Sequence, residues 1–132
     1  MCEAANVQTV QQLYADFGRG DVPAILARLD PDVAWANAGP SAVPYARKRR
    51  GIDEVRDFFA SIAASVEVQV FEPREYFSQG NRVLVIGRWS GRTKPTGRAF
   101  ASDWVMAWTL KGGKITSFQS YEDTHQLAQA FA

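Results

Sequence analysis

The amino-acid sequence predicts an α+β fold in which helices cover one face of an antiparallel sheet. The first half of the 132-residue chain carries three stretches whose apolar residues recur with the spacing of amphipathic helices. The second half changes to the period-two alternation that is typical of strands, with glycine-rich turns between them. Since no repeat or linker divides the chain, we expect a single domain over residues 1–132.

Three helices are predicted before the strands begin. The first covers Glu3–Gly18, where a one-sided apolar stripe ends at glycine. Asp21 then provides an N-cap for a second helix, whose apolar face includes Leu29 and which ends before Pro31. The third helix covers about Ile52–Ser65, where apolar residues recur at i, i+3, i+4 and i+7.

The strands follow from alternation and turn residues. A short strand at residues 32–37 is followed by a loop that runs to Gly51, and a second strand starts at Val66 and is interrupted at an edge or bend by Pro73. The continuous apolar run at residues 83–86 predicts a strand that is buried on both faces. Three further elements complete the chain, namely a long strand at 100–110, a strand at 114–123 after the Gly112–Gly113 hairpin, and a short helix after Thr124.

Composition excludes several classes of function. Fifteen basic and fourteen acidic side chains give a formal charge of +1, which argues against a general polyanion binder. The only cysteine, Cys2, allows no intrachain disulfide, so we expect a reducing compartment, with the cytoplasm as the default. We expect no membrane span, since no apolar stretch approaches the necessary length. One histidine, His125, and no ligand-type spacing predict no metal site.

The aromatic content leaves two interpretations open. Eight Phe, four Trp and four Tyr supply enough bulk either to fill a core or to line a cavity between helices and a curved sheet.

Several short motifs resemble SnoaL-like proteins, which belong to the nuclear-transport-factor-2-like superfamily together with ketosteroid isomerase and limonene epoxide hydrolase. The resemblance spans nearly the whole chain and is carried by Asp32, Trp35 and Asn37, then Gly39-Pro40, Gly51-x-x-x-Val55-x-x-Phe58-Phe59, Gly113-Lys114-Ile115 and Tyr121-x-Asp123-Thr124. It implies a cone-shaped, strongly curved antiparallel sheet that is wrapped around the N-terminal helices and encloses an apolar pocket, usually in a homodimer.

The resemblance also implies roles for particular residues. Tyr14 matches the tyrosine that donates a hydrogen bond to the oxyanion in ketosteroid isomerase, but the general base of that enzyme falls on Asn37. Its protonated aspartate falls near Val105, two positions from Asp103. Trp35 and Asn37 match the water-holding pair of limonene epoxide hydrolase, whose three ionisable groups fall instead on Ser120, Gly87 and Trp89. Met106 stands where many SnoaL-like chains carry a histidine.

We therefore take four residues as catalytic candidates. Tyr14 and Asn37 are expected to donate hydrogen bonds, and Asp103 or Glu122 is expected to act as the acid or base. Each of the two carboxylates also has an alternative without a catalytic role: Asp103 as a strand-end aspartate paired with an arginine, and Glu122 as an exposed residue at the rim of the pocket. The candidate ligand-binding residues are Trp35, Phe58, Phe59, Ile62, Trp89, Val105, Phe118 and Ser120.

The only dense charge run, Arg47 to Arg50, is either a solvated loop or a rim that attracts an acidic ligand to the pocket. Nucleic-acid binding is not favoured, because few aromatics flank the run and the chain is nearly neutral.

Two functions remain open from the sequence. The first is a small-molecule enzyme without a cofactor that acts as an isomerase, cyclase or hydrolase. The second is a non-catalytic ligand-binding or dimerisation module.

Overall fold

The computed structural model describes residues 3–132, so Met1 and Cys2, and with them the expectation based on the single cysteine, lie outside the described residues. The helices are α1 (Glu3–Gly18), α2 (Val22–Ala27), α3 (Ile52–Ser65) and α4 (Thr124–Phe131). The strands are β1 (Leu29–Asn37), β2 (Lys48–Arg50), β3 (Val66–Gln79), β4 (Arg82–Thr93), β5 (Ala99–Lys111) and β6 (Lys114–Glu122). No helix in this described part is long and apolar enough to span a bilayer.

The strands form one curved, unclosed sheet in the order β2-β1-β6-β5-β4-β3. The predicted α+β class is therefore confirmed, with β3 to β6 as an antiparallel meander. One pairing departs from a wholly antiparallel sheet, because β1 lies parallel to β6. The long connection between these two strands, which contains α3 and the other strands of the meander, permits the parallel pairing.

The segment after α1 differs from its sequence prediction. Asp21 caps α2 as expected, since its carboxylate accepts a hydrogen bond from the backbone N–H of Ala24 at 3.1 Å. Leu29, however, does not belong to the apolar face of helix two; it is the first residue of β1 and pairs with Ile115 of β6. Pairing with a distant strand overrides local helix propensity here. The predicted loop after Asn37 likewise contains the short strand β2.

The sheet has an inner face that packs against α1 and α3 and an outer face without a covering element among the described residues. Val83 and Val85 of β4 are fully buried on the inner face, whereas Leu84 and Ile86 are 41% and 36% exposed on the outer one. The expectation that this strand is buried on both faces is therefore wrong for the single chain. Strict alternation along the strand separates the apolar run into two groups.

Strand β3 is an edge strand, which accounts for the proline within it. Pro73 pairs with Gly87 of β4, and the register shifts between Pro73 and Glu75 and again between Val68 and Val70. An edge strand tolerates the missing N–H of proline because one of its sides has no ladder partner. The shift after Val68 places Val70 on the outer face and brings the Phe71 ring inward, where it stacks on Trp104 at 5.2 Å between centroids.

Gly87 provides the space that the Trp104 ring occupies. A Cβ atom at position 87 would lie 2.3 Å from Trp104 Cζ2 and 2.5 Å from the carbonyl oxygen of Glu72. Both distances are far below van der Waals contact, and the Glu72 carbonyl belongs to the backbone, which cannot move aside as a flexible side chain can. Glycine at this position therefore determines how closely the indole approaches β4.

We expect Gly87→Ala to lower the free energy of unfolding by about 1–3 kcal/mol, the usual cost of overpacking a tight site. Chemical denaturation monitored by tryptophan fluorescence measures this loss. Gly18→Ala is the matched control, because a Cβ there meets nothing within 4 Å and the backbone is helical. An equal effect of both substitutions would contradict the close approach of Trp104.

Candidate functional site

The inner face of the sheet and helices α1 and α3 line a cavity of about 70 Å³. Because one water molecule occupies roughly 10–15 Å³ of such a cavity volume, the space suits a molecule of several heavy atoms, such as one small ring. All four tryptophans of the chain line this cavity. The full lining is Leu13, Tyr14, Phe17, Trp35, Asn37, Tyr45, Phe58, Phe59, Ile62, Phe71, Trp89, Trp104, Met106, Trp108, Phe118 and Glu122.

Glu122 brings a carboxyl group to this largely aromatic wall. It is the last residue of β6, and Trp89 Nε1 donates a hydrogen bond of 2.8 Å to its Oε1 atom. Burial raises the pKa of Glu122 to about 7, an effect that the hydrogen bond from Trp89 only partly offsets and that neighbouring Asp123 reinforces. A carboxyl group that titrates near neutral pH can both donate and accept a proton under physiological conditions.

Asn37 and Ser120 form a hydrogen-bonded pair beside this carboxyl group. They are partners in the register of β1 and β6, and Asn37 Nδ2 donates to Ser120 Oγ at 3.0 Å. Both side chains are buried, and Asn37 Oδ1 has no partner. Ser120 does not itself line the cavity but fixes the amide that does. The pair therefore presents one free polar atom of Asn37 at the cavity wall.

The Tyr14 hydroxyl lies on the α1 side of the cavity. It accepts a hydrogen bond from Trp108 Nε1 at 3.0 Å and donates to the Met106 sulfur at 3.3 Å. Burial raises the pKa of the phenol far above its usual value, although the bond from Trp108 acts in the opposite direction. The hydroxyl therefore stays protonated at neutral pH. Because a thioether sulfur is a weak acceptor, the O–H group is available to a better one.

Tyr45 is a cavity residue that the sequence analysis did not identify. It lies in the loop between β1 and β2 and is 1% exposed, yet its hydroxyl has no partner. Burial raises its pKa well above the usual value, and the charge of Glu122 acts in the same direction. Its backbone carbonyl accepts a 2.7 Å hydrogen bond from Arg49, a buried side chain whose guanidinium lies 5.4 Å from the Phe58 ring centre.

Besides Ser120, two predicted site residues do not line the cavity. Asp103 is on the outer face, where its side chain is 76% exposed and accepts a 3.1 Å hydrogen bond from Arg88. The alternative of a strand-end aspartate paired with an arginine is therefore correct, and the candidacy of Asp103 as a catalytic residue in the cavity is wrong. Val105 shares that outer face and does not line the cavity. Side chains alternate between the two faces of β5, so Asp103 and Val105 point outward while Trp104, Met106 and Trp108 point into the cavity. The sequence analysis did not include these three residues in the site, although this alternation was visible in the sequence.

The basic run has no contact with the cavity. Arg47 pairs with Asp57 at 2.9 Å, Arg49 is buried beneath Tyr45, and Lys48 and Arg50 are exposed. Of the two alternatives for this run, a rim of this cavity is therefore wrong, and solvent exposure holds for Arg47, Lys48 and Arg50 but not for Arg49. His125 is exposed near the start of α4. Within residues 3–132, no group of three or more His, Cys, Asp or Glu side chains is arranged to hold a metal ion.

The chain belongs to the SnoaL-like domain family, whose sequence model matches residues 10–118. An NTF2-like protein from Burkholderia xenovorans LB400 is 39% identical, with 100% of this chain and 99% of that chain covered and a TM-score of 0.92. TerC, co-crystallised with polyporic acid, is 26% identical, with 96% and 98% covered and a TM-score of 0.86.

A proposed SnoaL-like polyketide cyclase from Mesorhizobium loti is 20% identical, with 87% of this chain and 97% of that chain covered and a TM-score of 0.71, which shows the fold alone. No protein with curated annotation matches the sequence. The family resemblance carried by the sequence motifs is confirmed.

The raised pKa of Glu122 predicts a pH-dependent stability difference between the wild type and Glu122→Gln. Between pH 4.5, the ordinary pKa of a glutamate, and about pH 7, Glu122 is ionised in the unfolded state but keeps its proton in the folded state. The wild type therefore loses stability as the pH rises through this range. Above this pH range we expect Glu122→Gln to be more stable than the wild type by about 3 kcal/mol, and below it we expect the two proteins to have equal free energies of unfolding.

Urea denaturation across the pH series measures this difference. Glu75→Gln, on the exposed edge strand, serves as the control for a general charge effect. A constant offset between Glu122→Gln and the wild type at all pH values would contradict the assignment.

Proposed function

We propose that the protein binds a small apolar or cyclic molecule in this cavity and catalyses an isomerisation, cyclisation or hydrolysis without a cofactor, with Glu122 as the general acid or base. One observation carries the proposal: a half-buried carboxyl group, which accepts a hydrogen bond from Trp89, lies on a largely aromatic cavity wall. This observation favours an enzyme over a binding module. We place the activity in the cytoplasm, which the single cysteine of the sequence favours.

Proton transfer at this site differs from that implied by the resemblance to ketosteroid isomerase. The position of that enzyme's base is Asn37, whose amide cannot accept a proton at neutral pH. Glu122, two residues beyond the Ser120 partner of Asn37 on the same strand face, supplies a carboxyl group instead. In this proposal Asn37 orients the ligand beside the carboxylate, and Glu122 moves the proton.

Tyr14 completes the proposed chemistry by stabilising negative charge on a ligand oxygen. Its O–H group donates to the weakly accepting sulfur of Met106, so a ligand oxygen can replace that partner. The bond from Trp108 N–H to the Tyr14 oxygen polarises the hydroxyl and strengthens its donation. A hydrogen bond that strengthens as charge develops lowers the barrier to reaction.

Exchange of α-hydrogens tests this chemistry with a probe of suitable size. In deuterated water, we expect the protein to accelerate deuterium incorporation into cyclohexanone, measured by NMR, with a rate that rises as Glu122 ionises around pH 7. Glu122→Gln should reduce the protein-dependent rate by about 100-fold or more. Asp103→Asn is the control, because that carboxylate lies on the outer face. Equal rates for the wild type and Glu122→Gln would overturn acid–base chemistry at this site.

We further propose that the outer face of the sheet binds a second copy of the chain. Ile86, Val105 and Tyr121 are register partners across three strands, and Leu84 pairs with Phe77 on the edge strand. Phe77 and Tyr121 are 51% and 56% exposed. Apolar patches of this kind mark interaction surfaces, and a homodimer covers such a patch with its own counterpart.

Charge on the same face supports a two-fold pairing. Lys48 and Arg50 are exposed at the β2 edge, whereas Glu75 and Glu72, the latter paired with Arg74 at 2.8 Å, are exposed at the opposite edge, on β3. A two-fold axis that lies between the two packed sheets and runs parallel to the strands would bring the basic edge of one copy over the acidic edge of the other. Such complementarity favours this orientation over others.

Sedimentation equilibrium tests the dimer. We expect the wild type to have twice the 14.6 kDa mass of one chain at micromolar concentration. Leu84→Lys should shift the mass towards the monomer by placing an unpaired charge in the patch, whereas Leu84→Met should leave the dimer intact. A wild-type mass equal to that of one chain would contradict the proposal.

A further inference from the structure

Four side chains of the cavity wall carry a buried polar atom without a hydrogen-bond partner. These atoms are Trp35 Nε1, Asn37 Oδ1, the Tyr45 hydroxyl and Trp104 Nε1. The least buried of the four residues, Asn37, is only 8% exposed. Native proteins rarely leave such groups unpaired, because each lost partner is costly. All four belong to residues that line one cavity, and a polar ligand that reaches these atoms would supply the missing partners.

The electrostatics of the wall select against anions. Within the described chain, no Lys, Arg or His side chain lines the cavity. Glu122 is the lining group that becomes negatively charged near neutral pH, and Tyr14 and Tyr45 remain neutral there. A carboxylate or phosphate ligand would lose its hydration and meet no opposite charge, so its transfer into this space is unfavourable.

The unpartnered groups match the hydrogen-bonding capacity of a neutral oxygen. Two indole N–H groups and the Tyr45 hydroxyl can donate to an alcohol, phenol or carbonyl oxygen. A ligand hydroxyl can in addition donate to Asn37 Oδ1. If the Asn37 amide were rotated by 180°, Nδ2 instead of Oδ1 would be without a partner, and a ligand hydroxyl can pair with either atom. The aromatic rings around these groups suit the flat faces of a ring.

We propose that the cavity selects neutral, oxygen-bearing single-ring compounds, namely alcohols, phenols or ketones, over ring carboxylates and over hydrocarbons of the same size. The proposal rests on the proposed function for the location of the site and adds the chemical class of the ligand. A hydrocarbon fills the same space but leaves the four polar atoms unpaired, and a carboxylate brings an uncompensated charge.

Three probes of nearly equal size test the selection: phenol, toluene and benzoate. Because all four tryptophans line the cavity, quenching of intrinsic fluorescence, excited at the red edge of tryptophan absorption, reports occupancy. At pH 8 we expect phenol to bind at least 10-fold more tightly than toluene or benzoate, the effect of about one satisfied buried hydrogen bond. Saturation-transfer NMR on the same probes separates binding from collisional quenching.

Variants identify the groups responsible. Tyr45→Phe should reduce the preference for phenol over toluene several-fold without weakening toluene binding, and Asn37→Ala should do so independently. Tyr121→Phe is the matched control, since this hydroxyl lies on the outer face and is exposed. If toluene or benzoate binds as tightly as phenol, the assigned ligand class is wrong while the cavity remains a binding site. If none of the three probes binds, both this inference and the proposed function are wrong.

Discussion

Strict alternation of side chains across β4, β5 and β6 is the constraint on which the rest of the structure depends. In these strands one parity contributes the tryptophans, phenylalanines and Glu122 to the inner face, and the other contributes an outer surface of mixed apolar and charged groups. A one-residue slip in any of the three strands would exchange these two sets. The cavity, its carboxyl group and the exposed patch are therefore consequences of one register, which the hydrophobic pattern itself specifies.

If the proposed function is correct, stability is given up for chemistry at the cavity. An aromatic wall of this kind would be most stable if it were completely apolar, yet it contains a carboxyl group whose pKa is raised to about 7 and several polar atoms without partners. The rings of the same wall supply stability through dense contacts, such as Trp35 with Phe118 at 4.2 Å and Trp108 with Phe118 at 4.6 Å between centroids. Buried polar groups on a rigid aromatic frame are held in fixed positions, which is what selective binding and proton transfer require.

The sequence predicted the elements well and the site only in part, for identifiable reasons. The periodicity of α3 and the alternation from Val66 onward are local signals, and they located most helices and strands correctly. Glu122 was found because its parity follows Phe118, whereas Asp103 was kept as a catalytic candidate beside the alternative of an arginine pair, although it is one residue out of step with Trp104 and Met106. Tyr45 carried no periodic signal at all, because loop residues reach a cavity only through tertiary contacts. The parallel pairing of β1 with β6 is equally non-local.

The basic run illustrates how a charge pattern can serve the site without facing a ligand. Arg49 is buried between α3 and the loop, where desolvation lowers its pKa and its guanidinium lies against Phe58 while donating to the Tyr45 carbonyl. Asp57 of α3, with Arg47 at 2.9 Å and Arg49 at 3.7 Å, completes the cluster. Arginine suits this position because its planar group can stack on a ring and donate hydrogen bonds at its edge simultaneously. The cluster thereby connects the loop to α3 at the Tyr45 backbone, while contacts with the Phe58, Trp89 and Phe131 rings position the Tyr45 side chain beside the cavity.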